Sequence, residues 1–154
     1  MEYHDLVKDF ADRTRSNLQL VRERAESGGK AYEVTQLINS MLGLLVFPQQ
    51  RYYQNVPKWT MEQLRQKGWP EPVLTGDIGK PNDLQELFRY LRNGITHFNM
   101  KFTDSGGVLD GVVIWNHEGG SSKNPKNWQV TLHLDELADI TDRFVQLMLG
   151  SSQP

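Results

Sequence analysis

Within six residues, the run Arg92-Asn93-Gly94-Ile95-Thr96-His97 combines a fixed cation, a neutral amide and a side chain that titrates near neutrality. An arginine grips a phosphate through paired N–H donors, and a histidine moves a proton at physiological pH. These groups suit phosphodiester cleavage in which the substrate's own 2′-OH attacks the neighbouring phosphorus. His97 would act as general base or acid and Arg92 would stabilise the charge added at the phosphorane. The expected products are a 2′,3′-cyclic phosphate and a 5′-hydroxyl end, and the route requires no metal.

The spacing constrains how such a site is assembled. Residues five apart on an ideal helix lie about 140° apart around its axis, so Arg92 and His97 do not aim at one spot from a single straight helix. Two arrangements unite them. Gly94 permits local distortion or the close approach of another backbone; alternatively, a two-fold dimer axis sets Arg92 of one subunit beside His97 of the other. Asn93 and His97 are four apart and only about 40° from each other, within reach of an amide–imidazole hydrogen bond that fixes the tautomer.

Several elements must position this run. Apolar residues Leu6, Val7, Phe10, Leu18, Val21 and Ala25 predict a helix from about His4 to Glu26, stopped by Gly28-Gly29. A second, more apolar helix is predicted from Ala31 to Val46, ended by Pro48. Pro48 to Pro81 reads as irregular, with one short helix near Thr60 to Lys67 and the packing aromatics Tyr52, Tyr53, Trp59 and Trp69. Asn82 or Asp83 can cap a third long helix. Its seam of Leu84, Phe88, Leu91, Ile95, Phe98 and Phe102 predicts continuation to the Gly106-Gly107 stop. Val108 to Trp115 and Trp128 to Leu134 then read as a β-hairpin around a loop near Gly119 to Asn127, and Asp135 caps a last helix to about Leu149. The expected fold is mainly α, a helical bundle of four to five helices with an inserted β-hairpin before the last helix. Residues 1–150 form one domain and 151–154 a polar tail.

Composition narrows the function classes. The 154 residues include no cysteine, which leaves no disulfide and no thiolate metal site. A formal net charge of −2 and a pI of about 6.1 argue against coating nucleic acid through a general basic surface, although not against a local phosphate site. Basic residues do gather near the run, at Arg89, Arg92 and Lys101. The charged start MEYHDLVKDFADR is unlike a signal peptide, and the longest apolar run, Met41 to Phe47, is too short to span a bilayer; a cytoplasmic protein is expected, with no membrane partner. His4, His117 and His133 lack carboxylate partners at metal-binding spacing, and no glycine pair sits between a strand and a helix as a phosphate cradle must. Neither a metal nor a cofactor is expected.

The run Arg92 to His97, on a long helix of a small, mainly helical, cysteine-free chain, resembles the signature of the HEPN superfamily (higher eukaryotes and prokaryotes nucleotide-binding). That signature is an arginine, usually a polar residue after it, and a histidine after four to six intervening residues, which Arg92, Asn93 and His97 match. The resemblance implies an α-helical bundle that dimerises so that both motifs line one cleft. It further implies a metal-independent endoribonuclease of the toxin–antitoxin, anti-phage or RNA-processing kind. RNA would be the substrate and an antitoxin or regulatory protein a further partner. Arg92 and His97 would then be catalytic and Asn93 supporting. One position departs: toxins silenced by adenylylation carry a tyrosine two residues after the histidine, where this chain has Asn99, so control by a nucleotidyltransferase there is not expected. Two other readings stand beside the ribonuclease: a non-catalytic HEPN-like module binding nucleotide, RNA or a protein partner, and a purely structural helical dimer.

Overall fold

The computed structural model describes residues 3–46 and 56–150, with the side chains of residues 3–5 left out. Pro48, Tyr52, Tyr53 and the tail at 151–154 lie outside the described residues, as does the His4 side chain. Helix α1 (Tyr3–Glu26) buries Val7, Ala11, Thr14 and Leu18, a stripe at helical spacing in which Ala11 and Thr14 join the expected Val7 and Leu18 while the expected Leu6 is exposed. Helix α2 (Glu33–Val46) is the centre of the molecule: Val34, Leu37, Ile38, Met41, Leu44 and Leu45 are all buried. Its neighbours are α1, helices α5 (Leu84–Thr96) and α6 (Leu134–Gly150), and strand β2 (Val108–His117).

The irregular segment holds two short helices. α3 (Met61–Gln66) starts with a reciprocal capping box, in which the Gln63 N–H donates to Thr60 Oγ1 at 3.2 Å and the Thr60 N–H to Gln63 Oε1 at 2.9 Å. α4 (Glu71–Thr75) carries a proline in its first turn. Arg65 ties the two together by bonding both Glu62 and Glu71, which raises the guanidinium above its ordinary range and lowers the Glu71 carboxyl. Trp69 then packs its ring 5.9 Å from Phe144 of α6, so the excursion is anchored by an aromatic, as its composition suggests.

The expected hairpin is part of a larger sheet, and six helices rather than four to five occur among the described residues. Strands β1 (Met100–Ser105), β2 and β3 (Lys126–His133) form an antiparallel meander in that order. The third long helix therefore does not run to Phe102. α5 stops at Thr96, Phe98 is 78% exposed in the turn beyond it, and Phe102 lies in β1 at 41% exposed. Gly106 and Gly107, read as a helix stop, are instead the two positive-φ residues of the β1–β2 turn, with Ser105 paired to Val108.

One sheet face closes the core. Met100, Val112, Ile114, Trp128, Val130 and Leu132 are buried there against the helices, with Tyr90 of α5 stacked 5.5 Å from Trp128. Beyond β3, residues 76–79 add a short bridge: Ile78 and Gln129 pair, and Thr131 donates to the Asp77 carboxylate at 2.6 Å. No described helix is long and apolar enough to cross a membrane.

Candidate functional site

Helix α5 begins as its sequence predicts. Asp83 is the N-cap, its side chain accepting from the Glu86 N–H at 2.9 Å, while Glu86 reaches back to the Asn82 N–H at 2.8 Å. Leu84, Leu87, Phe88, Leu91 and Ile95 bury one face, which leaves Arg92 and Asn93 half-buried on its flank. Near its C-terminal end the helix lies against β2 with no side chain of its own between them. A methyl group on Gly94 would collide with Ile114 Cγ2 and stand 3.0 Å from the Trp115 carbonyl oxygen. Gly94 thus permits the close approach of another backbone, although this approach does not join the His97 side chain to Arg92 by a hydrogen bond among the described residues.

That approach assembles a polar chain. Arg92 Nη2 donates to Asn93 Oδ1 at 3.4 Å, Asn93 Nδ2 to Asn116 Oδ1 at 3.3 Å, and Asn116 Nδ2 to Asn127 Oδ1 at 2.8 Å. Asn116 also donates to the His117 carbonyl at 3.1 Å, which uses both of its amide N–H donors and fixes its orientation. It is 4% exposed and occupies the core-face position that follows Val112 and Ile114 along β2, opposite Trp128 of β3. An asparagine there is tolerable only because each polar atom finds a partner. The amides align head to tail away from the guanidinium, an arrangement in which successive hydrogen bonds polarise one another.

His97 stands apart from this chain. It is the C-cap of α5, its backbone N–H donating to the Asn93 carbonyl at 3.0 Å, and its exposed imidazole makes no hydrogen bond among the described residues. The expected amide–imidazole bond is absent because the Asn93 side chain is engaged by Arg92 and Asn116. Arg92 and Asn93 are therefore brought together, with support from the sheet, whereas His97 is linked to them through the backbone. Asn116 and Asn127 belong to this arrangement and were not foreseen; the readable signal is a lone asparagine continuing the buried alternation Val112, Ile114.

His117 and His133 form no second site among the described residues. In the β2–β3 ladder His133 pairs with Gly111 and His117 with Lys126, at opposite ends, and His117 Nδ1 lies 2.7 Å from the Asn124 carbonyl oxygen. No cluster of three or more His, Asp or Glu side chains suited to a metal ion occurs among the described residues.

No curated protein and no solved structure matches the chain. A family profile does: the one described as HEPN pEK499 p136 matches residues 1–153, nearly the whole sequence, including the helix that carries Arg92, Asn93 and His97. A match of that extent makes the chain a member of the HEPN pEK499 p136 family.

Proposed function

We propose that this HEPN protein is an endoribonuclease that cleaves RNA without a metal, through attack of a 2′-OH on the adjacent phosphorus. The observation that carries the reading is the Arg92–Asn93–Asn116–Asn127 chain, in which three amides drawn from a helix and two strands orient one guanidinium. Such support is what a cation needs if it is to meet a developing phosphorane charge without reorganising. The 2′-O–P bond forms as the P–O5′ bond breaks; His97 takes the 2′-OH proton or gives one to the departing 5′-oxygen. A homodimer whose two motifs face one cleft supplies a His97 for each proton and allows Arg92 of one subunit to serve His97 of the other. In this reading Asn93 positions Arg92 rather than the imidazole. A toxin or anti-phage effector, held in check by an antitoxin or regulatory protein, is the setting that the family resemblance implies.

A second reading has an observation of its own. No described group holds the His97 imidazole in one tautomer, the condition of a module that binds nucleotide or RNA without cutting it. The two are separated by incubating labelled single-stranded RNA and total tRNA with wild type, Arg92→Ala and His97→Ala in excess EDTA and determining the fragment ends. Cyclic-phosphate ends from wild type alone support the ribonuclease. RNA that is bound but left intact by wild type supports the module.

A further inference from the structure

The residue after His97 is held in an unusual way. Phe98 has φ 57°, the left-handed region that a bulky L-residue enters only against steric resistance, and it is the only described non-glycine residue there. Burial does not compensate, since Phe98 is 78% exposed. Nor is the turn loose. The Phe98 N–H donates to the Ile95 carbonyl at 3.1 Å, the Asn99 N–H to the Gly94 carbonyl at 2.7 Å, and the Trp115 N–H of β2 to the Asn99 carbonyl at 3.0 Å. Glycine or asparagine would make the same turn with less strain. The chain instead fixes an aromatic ring in solvent beside its candidate proton-transfer group, and strain of this kind gathers where a ligand is clamped.

The neighbours indicate what the ring meets. Thr96, His97 and Lys101 are exposed and Asn99 is half-buried, so the ring is flanked in the chain by polar and cationic groups. An aromatic face with a nearby cation is how proteins hold single-stranded nucleic acid, whereas a protein-docking anchor sits within a contiguous apolar patch. We infer that Phe98 is a positioning residue whose ring stacks on a nucleobase flanking the scissile phosphate and so sets the ribose 2′-OH against His97. This rests on the proposed action on RNA.

Two quantities should move in opposite directions. In Phe98→Asn the melting temperature rises by about 2–4 °C as the left-handed strain is relieved. Binding of a short, labelled, non-cleavable 2′-O-methyl RNA of mixed sequence weakens roughly tenfold, the loss of one base stack. Phe98→Trp retains wild-type binding, and wild type and Phe98→Asn bind an abasic strand of the same length equally. Failure of wild type to bind the intact strand overturns the RNA reading and this inference with it. If wild type binds, the inference alone is overturned by unchanged affinity in Phe98→Asn, by an equal loss on the abasic strand, or by a loss in Phe98→Trp matching that in Phe98→Asn. A fall in melting temperature or a changed sedimentation coefficient in Phe98→Asn also overturns it, since the ring would then be a packing or subunit contact.

Discussion

The ends of α1 and α5 are built alike and occupied differently. At the end of α1 the Gly28 N–H donates to the Ala25 carbonyl at 3.0 Å and the Gly29 N–H to the Arg24 carbonyl at 2.9 Å. At the end of α5 Phe98 and Asn99 make the same pair of bonds to Ile95 and Gly94. Both are Schellman turns, and a third ends α3, where Gly68 takes the left-handed position. Two of the three ends use the residue that adopts this conformation freely, and the one beside Arg92 and His97 uses phenylalanine. The difference teaches that the backbone is satisfied equally at all three ends, so what distinguishes α5 is the side chains its end displays.

The strongest way to break the comparison is at the C-cap itself, which is Ser27 in α1, Lys67 in α3 and His97 in α5. If the end of α5 is a site and the others are only ends, His97→Ala lowers RNA cleavage by about 10²- to 10⁴-fold, the range for losing a general acid or base. Its melting temperature stays near the wild-type value because the imidazole makes no described hydrogen bond. Ser27→Ala and Lys67→Ala leave cleavage unchanged. Cleavage rates and thermal melts of the three variants decide it: equal activity in all of them removes the distinction.

Behind the α5 end, but behind neither of the others, lies the buried Asn116. Asn116→Leu fits the apolar alternation of β2 but strips Asn93 and Asn127 of their partner. The cost is expected at about 1–3 kcal/mol, measured by urea unfolding. Cleavage falls as well, and Asn93→Ala adds little to it, because both substitutions release the same guanidinium; a double-mutant cycle reads this coupling directly. Additive losses would mean that the amide chain does not act through Arg92.

The same region shows what was legible in the sequence. α1, α2, α3 and α6, the start of α5, and strands β2 and β3 announce themselves by period, by caps or by glycine and proline punctuation. β1 did not, for a physical reason: Ile95, Phe98 and Phe102 continue the helical spacing beyond the point where the helix ends, and the residue that ends it is not a glycine. With that spacing carried on, Gly106-Gly107 takes the place of a helix stop, although two glycines between strand-like residues also describe a hairpin turn. α4, five residues with a proline, has too little periodicity to be read. In the candidate site, Arg92, Asn93 and His97 are legible because they fall within six residues of one another. Asn116 and Asn127 were not, because their relation to Asn93 is created by strand register and by Gly94, neither of which has a local signature.

Gly94 sharpens the contrast a step further. The corresponding position is Arg24 in α1 and Leu64 in α3, ordinary helix residues, and of these three helices only α5 ends against a strand backbone. Alanine normally stabilises a helix interior relative to glycine by roughly 0.5–1 kcal/mol. Here Gly94→Ala is expected to destabilise by about 1–3 kcal/mol, since the new methyl would overlap Ile114 Cγ2 and the Trp115 carbonyl beside it cannot yield as a flexible side chain would. A stabilising Gly94→Ala in denaturant unfolding would show that α5 and β2 have room between them.

The smallest effect isolates what phenylalanine costs in the left-handed position. Gly28 is suited to this because a Cβ placed there meets nothing within 4 Å, so Gly28→Phe adds conformational strain without a clash at Cβ. The expected loss is about 1–2 kcal/mol, or roughly 2–8 °C in melting temperature. It should match, with opposite sign, the gain in Phe98→Gly, because the greater freedom of glycine in the unfolded chain reduces both by about the same amount. Agreement means the Phe98 ring contributes nothing to folding, so its retention at the end of α5 answers to a ligand. A gain at position 98 well below the loss at position 28 would mean that packing within the chain offsets the strain, and the two helix ends would differ in stability rather than in function.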